Sequence, residues 1–112
     1  MAVTSGAATA QAQGITNFAH GTFTGAGLVA EINCGFRPRY VKLINITDRI
    51  VDERVSGMTV GNTLHTVAAG TMTEATASAI VLKGGGTDAY RGFEVAAATA
   101  ISAKVFHWVA FG

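Results

Sequence analysis

Alternation with a period of two is the strongest constraint this sequence places on its own folding. Leu28, Ala30, Ile32, Cys34 and Phe36 interleave with Val29, Glu31, Asn33 and Gly35, which is the pattern of a strand with one buried face. After a break at 35–38, residues 39–47 are rich in β-branched and aromatic side chains. Val41 and Leu43 lie on one side, with Tyr40, Ile44 and Ile46 on the other. Two apolar sides mark either a central strand or a strand packed on the core by one face and on a partner by the other. Asp48 and Arg49 form a polar turn, from which 50–55 returns antiparallel until Ser56-Gly57 stops it. Further strands are predicted over 63–67, 71–76, 79–83, 93–95 and 104–111, punctuated by Gly61-Asn62, Gly70 and Gly84-Gly85-Gly86. Turn signals roughly every ten residues predict an all-β, single-domain fold, a β-sandwich or a barrel-like closure. Residues 96–103 (AAATAISA) are ambiguous, because their alanines also allow a short helix or helical turn.

The two ends differ. Val105, His107, Val109 and Phe111 share one face of the closing stretch, and Phe106, Trp108 and Ala110 share the other. So apolar a strand would aggregate as an open edge, so it is expected to be paired inside a sheet. Residues 1–14 (MAVTSGAATAQAQG) are small and of low complexity. Alone they bury too little to offset their ordering entropy, so an extended N-terminal arm is expected there, ahead of a β domain over 15–112. No internal repeat and no linker divides that domain.

Charge is sparse. The chain has 112 residues, 49% hydrophobic and 13% charged, with a net charge of +1; a typical soluble domain is about 25% charged. No basic field is present to grip nucleic acid or an anionic membrane. No window approaches a membrane span, and residues 1–30 carry no positive start for a secretory signal, so a soluble, unprocessed protein is expected. Nine ionic residues fall between Glu31 and Arg54, while 55–73 has none. Fifteen charges cannot cover the surface of a domain this size, and interface cores are depleted of charge. Much of the exterior is therefore expected to lie against other subunits, the alternative being a neutral, Thr-rich surface that is simply soluble.

Catalytic chemistry is thin. His20, His65 and His107 lie far apart, and Cys34 is the single thiol, which excludes an internal disulfide. His107 reads as a packed, hydrogen-bonded histidine and Cys34 as a small hydrophobe. Asp48, Asp52 and Glu53 are interleaved with Arg49 and Arg54 and lack calcium-loop spacing, so surface ion pairing at a strand turn is expected, possible also between subunits. Gly84-Gly85-Gly86-Thr87 lacks the ending of a phosphate-binding loop and reads as a flexible hairpin loop. Asn45-Ile46-Thr47 fits the glycosylation triplet but sits in a predicted strand. Arg37 and Arg39, on either side of Pro38, would anchor an acidic partner or keep a strand entrance wet. No catalytic residue, cofactor or metal is expected, and no enzyme emerges.

The blocks Gly35-Phe36-Arg37-Pro38-Arg39-Tyr40-Val41-Lys42-Leu43-Ile44-Asn45-Ile46-Thr47-Asp48-Arg49, Thr66-Val67-Ala68-Ala69-Gly70-Thr71, Arg91-Gly92-Phe93 and Trp108-Val109-Ala110-Phe111-Gly112 resemble small structural proteins of tailed bacteriophages, nearest to head decoration, or capsid-cementing, proteins. The blocks span most of the chain from Gly35 onward; the N-terminal arm shows no match, and 50–57 has fewer aromatics than such proteins carry. The resemblance implies a β-rich virion protein, often a homotrimer, on the capsid exterior. There it would bind the major capsid protein and reinforce the shell against the pressure of packaged DNA. Lambda-type decoration proteins use an N-terminal arm that orders on the shell, and residues 1–14 are compatible with that. On this reading residues 1–19 clamp capsid, and strand faces around 40–46 or 106–111 make the trimer. The alternatives are another virion component (tail-tube, head-completion or fibre-base protein) and a carbohydrate- or receptor-binding β module built on Tyr40 or Tyr90.

Overall fold

The computed structural model describes residues 17–112. Nine strands follow in order: β1 (Phe18–Thr24), β2 (Ala30–Asn33), β3 (Tyr40–Asn45), β4 (Ile50–Val55), β5 (Thr63–Thr66), β6 (Met72–Ala75), β7 (Ile80–Lys83), β8 (Gly92–Val95) and β9 (Val105–Phe111). They make a six-stranded sheet ordered β1-β9-β3-β4-β5-β6 and a three-stranded sheet ordered β2-β8-β7, antiparallel throughout. The two sheets pack face to face, so the all-β expectation holds and its form is a sandwich. The expected arm at 1–14 lies outside the described residues. Residues 18 and 19, assigned to the capsid clamp, belong instead to β1 and pair with β9.

The core forms where alternation puts bulky side chains inward from both sheets. Val41, Leu43, Phe106, Trp108 and Ala110 of the large sheet meet Ile80, Leu82, Phe93 and Val95 of the small one. Phe93 stands edge-on to Trp108 with ring centroids 5.3 Å apart, and Phe23 stacks on Phe106 at 4.9 Å. β9 is paired on both sides, by β1 and β3, as its apolar character requires. β3 is likewise central, between β9 and β4.

Two strands depart from the sequence expectation, and the ambiguous segment 96–103 takes one of its two forms. β1 is an additional strand. Its inward positions are Ala19, Gly21 and Phe23, and Gly21 is needed because an added Cβ would lie 2.9 Å from the Trp108 ring. The strand predicted over 28–36 is shorter: Leu28 and Val29 are exposed, and the amides of Cys34 and Gly35 both donate to the Arg91 carbonyl, where the ladder ends. Residues 96–103 form neither strand nor helix. One turn forms, in which Thr99 and Ala100 N–H both donate to the Ala96 carbonyl at 2.9 Å, and Ala100 plugs the core.

β4 runs against the usual rule. Its inward positions carry Asp52 and Arg54, both buried, while Val51 and Val55 face outward. The inward charges are accommodated because they lie beyond the apolar centre. Asp52 pairs with His65 of β5, and Arg54 reaches backbone carbonyls of the β4–β5 loop. Gly92 opens β8 close under β2, where any Cβ would collide with the Ile32 carbonyl.

Candidate functional site

The cross-strand registers resolve the outer face of the large sheet into rows. Phe18, Phe111, Tyr40 and Val55 form the first; His20, Val109, Lys42, Glu53, Leu64 and Glu74 form the second. Thr22, His107, Ile44, Val51, Thr66 and Met72 form the third, and Thr24 and Val105 close the face. The 40–46 and 106–111 stretches singled out in the sequence are therefore neighbours on one surface. Phe18 is 53% exposed, Val55 45%, Val105 41% and Phe111 38%. Phe18 and Phe111 lie 5.0 Å apart and Phe111 and Tyr40 6.2 Å apart, a continuous aromatic ridge.

Tyr40 Oη donates to Glu53 Oε2 at 2.6 Å, and Lys42 stands beside Glu53 in register. Burial, the hydrogen bond to Glu53 and its charge push the Tyr40 phenol up to about 12, so the donor stays protonated. Six strands at ~4.8 Å spacing and ~3.3 Å per residue give a plan area on the order of 500 Å². The apolar side chains of this face are interleaved with His20, Thr22, Lys42, Glu53, Glu74 and His107, and clustered exposed apolar side chains rimmed by polar ones mark interaction sites.

The inner face holds a second constellation. His65 Nδ1 lies 2.7 Å from Asp52 Oδ1, and both line a cavity of about 90 Å³ with Asn45, Ile50, Ala98, Thr99, Ile101 and Phe106. Against an ionised carboxylate, Nδ1 carries a proton and donates. Desolvation raises the Asp52 carboxyl despite the bond and charge of His65, which lower it. Between the ordinary value of 3.8 and the raised one, the folded chain holds a proton that the unfolded chain has released. Stability contributed by this group therefore falls as pH rises through that window. Asp52→Asn is expected to lack this fall. In urea titrations between pH 3.5 and 6.5, the variant gains on the wild type as pH rises; parallel curves would refute the account.

Other residues fall partly where the sequence suggested and partly elsewhere. Among the described residues no ion pair joins Asp48, Asp52 or Glu53 to Arg49 or Arg54; Asp52 turns inward to His65 and Arg54 to loop carbonyls, while Glu53 faces outward to Tyr40. Asp48 takes Lys104 at 3.3 Å instead. His107 is exposed on the outer face rather than packed, since Phe106, Trp108 and Ala110 take the inward positions. His20 shares that face while His65 points inward, and no group of three metal-ligating side chains gathers among the described residues. Cys34 is half-buried, its thiol donating to the Phe36 carbonyl at 3.3 Å. The triple-glycine loop joins β7 to β8, and its Gly84 and Gly85 amides hold Asp88 Oδ2 at 2.9 and 3.1 Å. These two bonds lead the causes that lower the Asp88 carboxyl. Asn45 is buried, and its amide holds the β3–β4 turn through Asp48. Trp108 is in the core, and Tyr90 is half-buried with its hydroxyl buried and without a hydrogen-bond partner. No helix among the described residues is long and apolar enough to cross a membrane.

No family model, no curated protein and no solved structure matches the chain.

Proposed function

We propose that the chain is a structural virion protein of the capsid-decoration type. It self-associates, as a homotrimer, and binds the major capsid protein on the outside of the shell. One observation carries this reading: exposed or half-buried apolar side chains, Phe18, Phe111, Tyr40 and Val55 in one row and Val105 at the far end, run across the outer face of the large sheet, and β4 adds Val51 and Val55 to it while turning Asp52 and Arg54 inward. A surface of that kind is stable in water when other subunits cover it. Sheet faces meeting sheet faces, repeated over many copies on a lattice, supply avidity without strong single contacts. The phage-like blocks at 35–49 and 108–112 lie on or beside this same surface, in β3 and β9, which supports the reading further. The segment before β1 is the proposed capsid clamp.

The test combines solution mass with co-sedimentation on empty, expanded shells of a tailed phage. The expected results are a mass of three chains and saturable pelleting with shells. A single-chain mass at high concentration together with no pelleting would overturn the proposal. Self-association without any affinity for shells would point to the other virion roles.

A further inference from the structure

Arg37 and Arg54 line a second recess of about 90 Å³ at the seam where β4 faces β7, walled by Val60, Gly61, Ile80, Val81 and Leu82. We infer that this recess is a binding site for a small oxyanion, a carboxylate or a phosphate, held by the two guanidinium groups. Arg54 is only 6% exposed, yet no carboxylate pairs with it among the described residues. Its hydrogen bonds go to neutral carbonyls. Nη1 donates to Thr59 at 3.0 Å and Asn62 at 2.7 Å, and Nη2 donates to Met58 at 3.4 Å. Nε–H and one Nη2 proton have no protein acceptor among the described residues, and guanidinium donors of this kind bind carboxylates and phosphates. Buried charges are ordinarily paired, because carbonyl dipoles offset only part of the lost hydration.

Arg37 brings the second positive charge. Its side chain lies against Gly84 and Gly85, where an added Cβ would fall 2.7 Å from Arg37 Cβ and 2.8 Å from Nη1 respectively. Of the nearby acids, Glu94 pairs with Lys83 at 3.4 Å, and Asp88 is held by the two glycine amides within range of the Arg37 charge, with no ion pair of its own to Arg37 among the described residues. The cavity holds about three waters at ~30 Å³ each, the room that a carboxylate or phosphate group needs. Apolar walls from Ile80 and Leu82 lower the local dielectric and strengthen the attraction.

The site is tested on the full chain by titrating sodium phosphate, sodium acetate and N-acetylglutamate amide at ionic strength fixed with sodium chloride. The readouts are the Arg Nε–H resonances and the thermal midpoint. Saturable shifts of Arg54 and Arg37 are expected, with a raised midpoint. Arg37→Met, a change at an exposed side chain that leaves the fold intact, is expected to weaken binding at least about tenfold. Arg54→Lys keeps the charge but loses the guanidinium donors and is expected to weaken it similarly. Tighter binding of phosphate assigns a free phosphate ligand; tighter binding of the glutamate derivative assigns an acidic side chain of a partner. Shifts that do not saturate, an equal response to chloride, or unchanged affinity in Arg37→Met would overturn the inference.

Discussion

Phe93→Ala is expected to remove about 3–5 kcal/mol of folding stability, the cost of emptying a fully buried aromatic site. Phe93 is 0% exposed, lies in register between Ile32 of β2 and Leu82 of β7, and stands edge-on to Trp108 across the sandwich. It therefore joins the three strands of the small sheet to the centre of the large one. Domains of this size are stable by about 5–15 kcal/mol in total, so the variant should sit near the edge of folding. Urea titration at fixed protein concentration, with the slope checked for constancy, measures the loss. Phe93→Leu, which refills part of the space, should recover roughly half of it. A loss below about 1 kcal/mol for the alanine variant would mean that the two sheets do not share this core.

The second large effect concerns association rather than folding. Val55 and Val105 lie on the outer face, in its first and last rows, and both are exposed in the single chain. The double substitution Val55→Lys, Val105→Lys is expected to leave the unfolding transition of the subunit within about 0.5 kcal/mol per site. It places two ammonium groups where the proposed oligomer excludes water, and unpaired buried charges cost several kcal/mol. Self-association should weaken by about 3 kcal/mol or more, over a hundredfold. Sedimentation equilibrium reads this directly. An unchanged oligomer would show that association uses another surface.

Legibility in the sequence followed how much each strand carries of its own packing. β3 and β9 were readable because Val41, Leu43, Phe106, Trp108 and Ala110 put bulk on alternate positions. β1 was not, because its inward face is Ala19, Gly21 and Phe23, and the volume over Gly21 is supplied by Trp108 from the neighbouring strand. The place of β4 was readable but its facing was not. Each face of the strand mixes apolar and ionic side chains, Ile50 with Asp52 and Arg54 on one and Val51 and Val55 with Glu53 on the other, and the structure turns the first inward. The Asp52–His65 pair depends on the β4–β5 register and the Arg37–Arg54 recess on how two sheets cross, and neither relation is written in spacing along the chain. The outer face was legible in outline, since its stretches at 40–46 and 106–111 already stood out as apolar on both sides.

The facing of β4 also bears on how the chain finds its fold. A slip of one residue against β3 would turn Val51 and Val55 in and release Asp52 and Arg54 to water, while burying Glu53 and exposing Ile50, so the strand's own pattern does not decide between the two alignments. The native alignment must then be imposed from outside the strand, by Tyr40 on Glu53, by His65 on Asp52 and by the loop carbonyls that receive Arg54. β4 is thus a point of local frustration, where mispaired chains compete with correctly threaded ones until both flanking hairpins close.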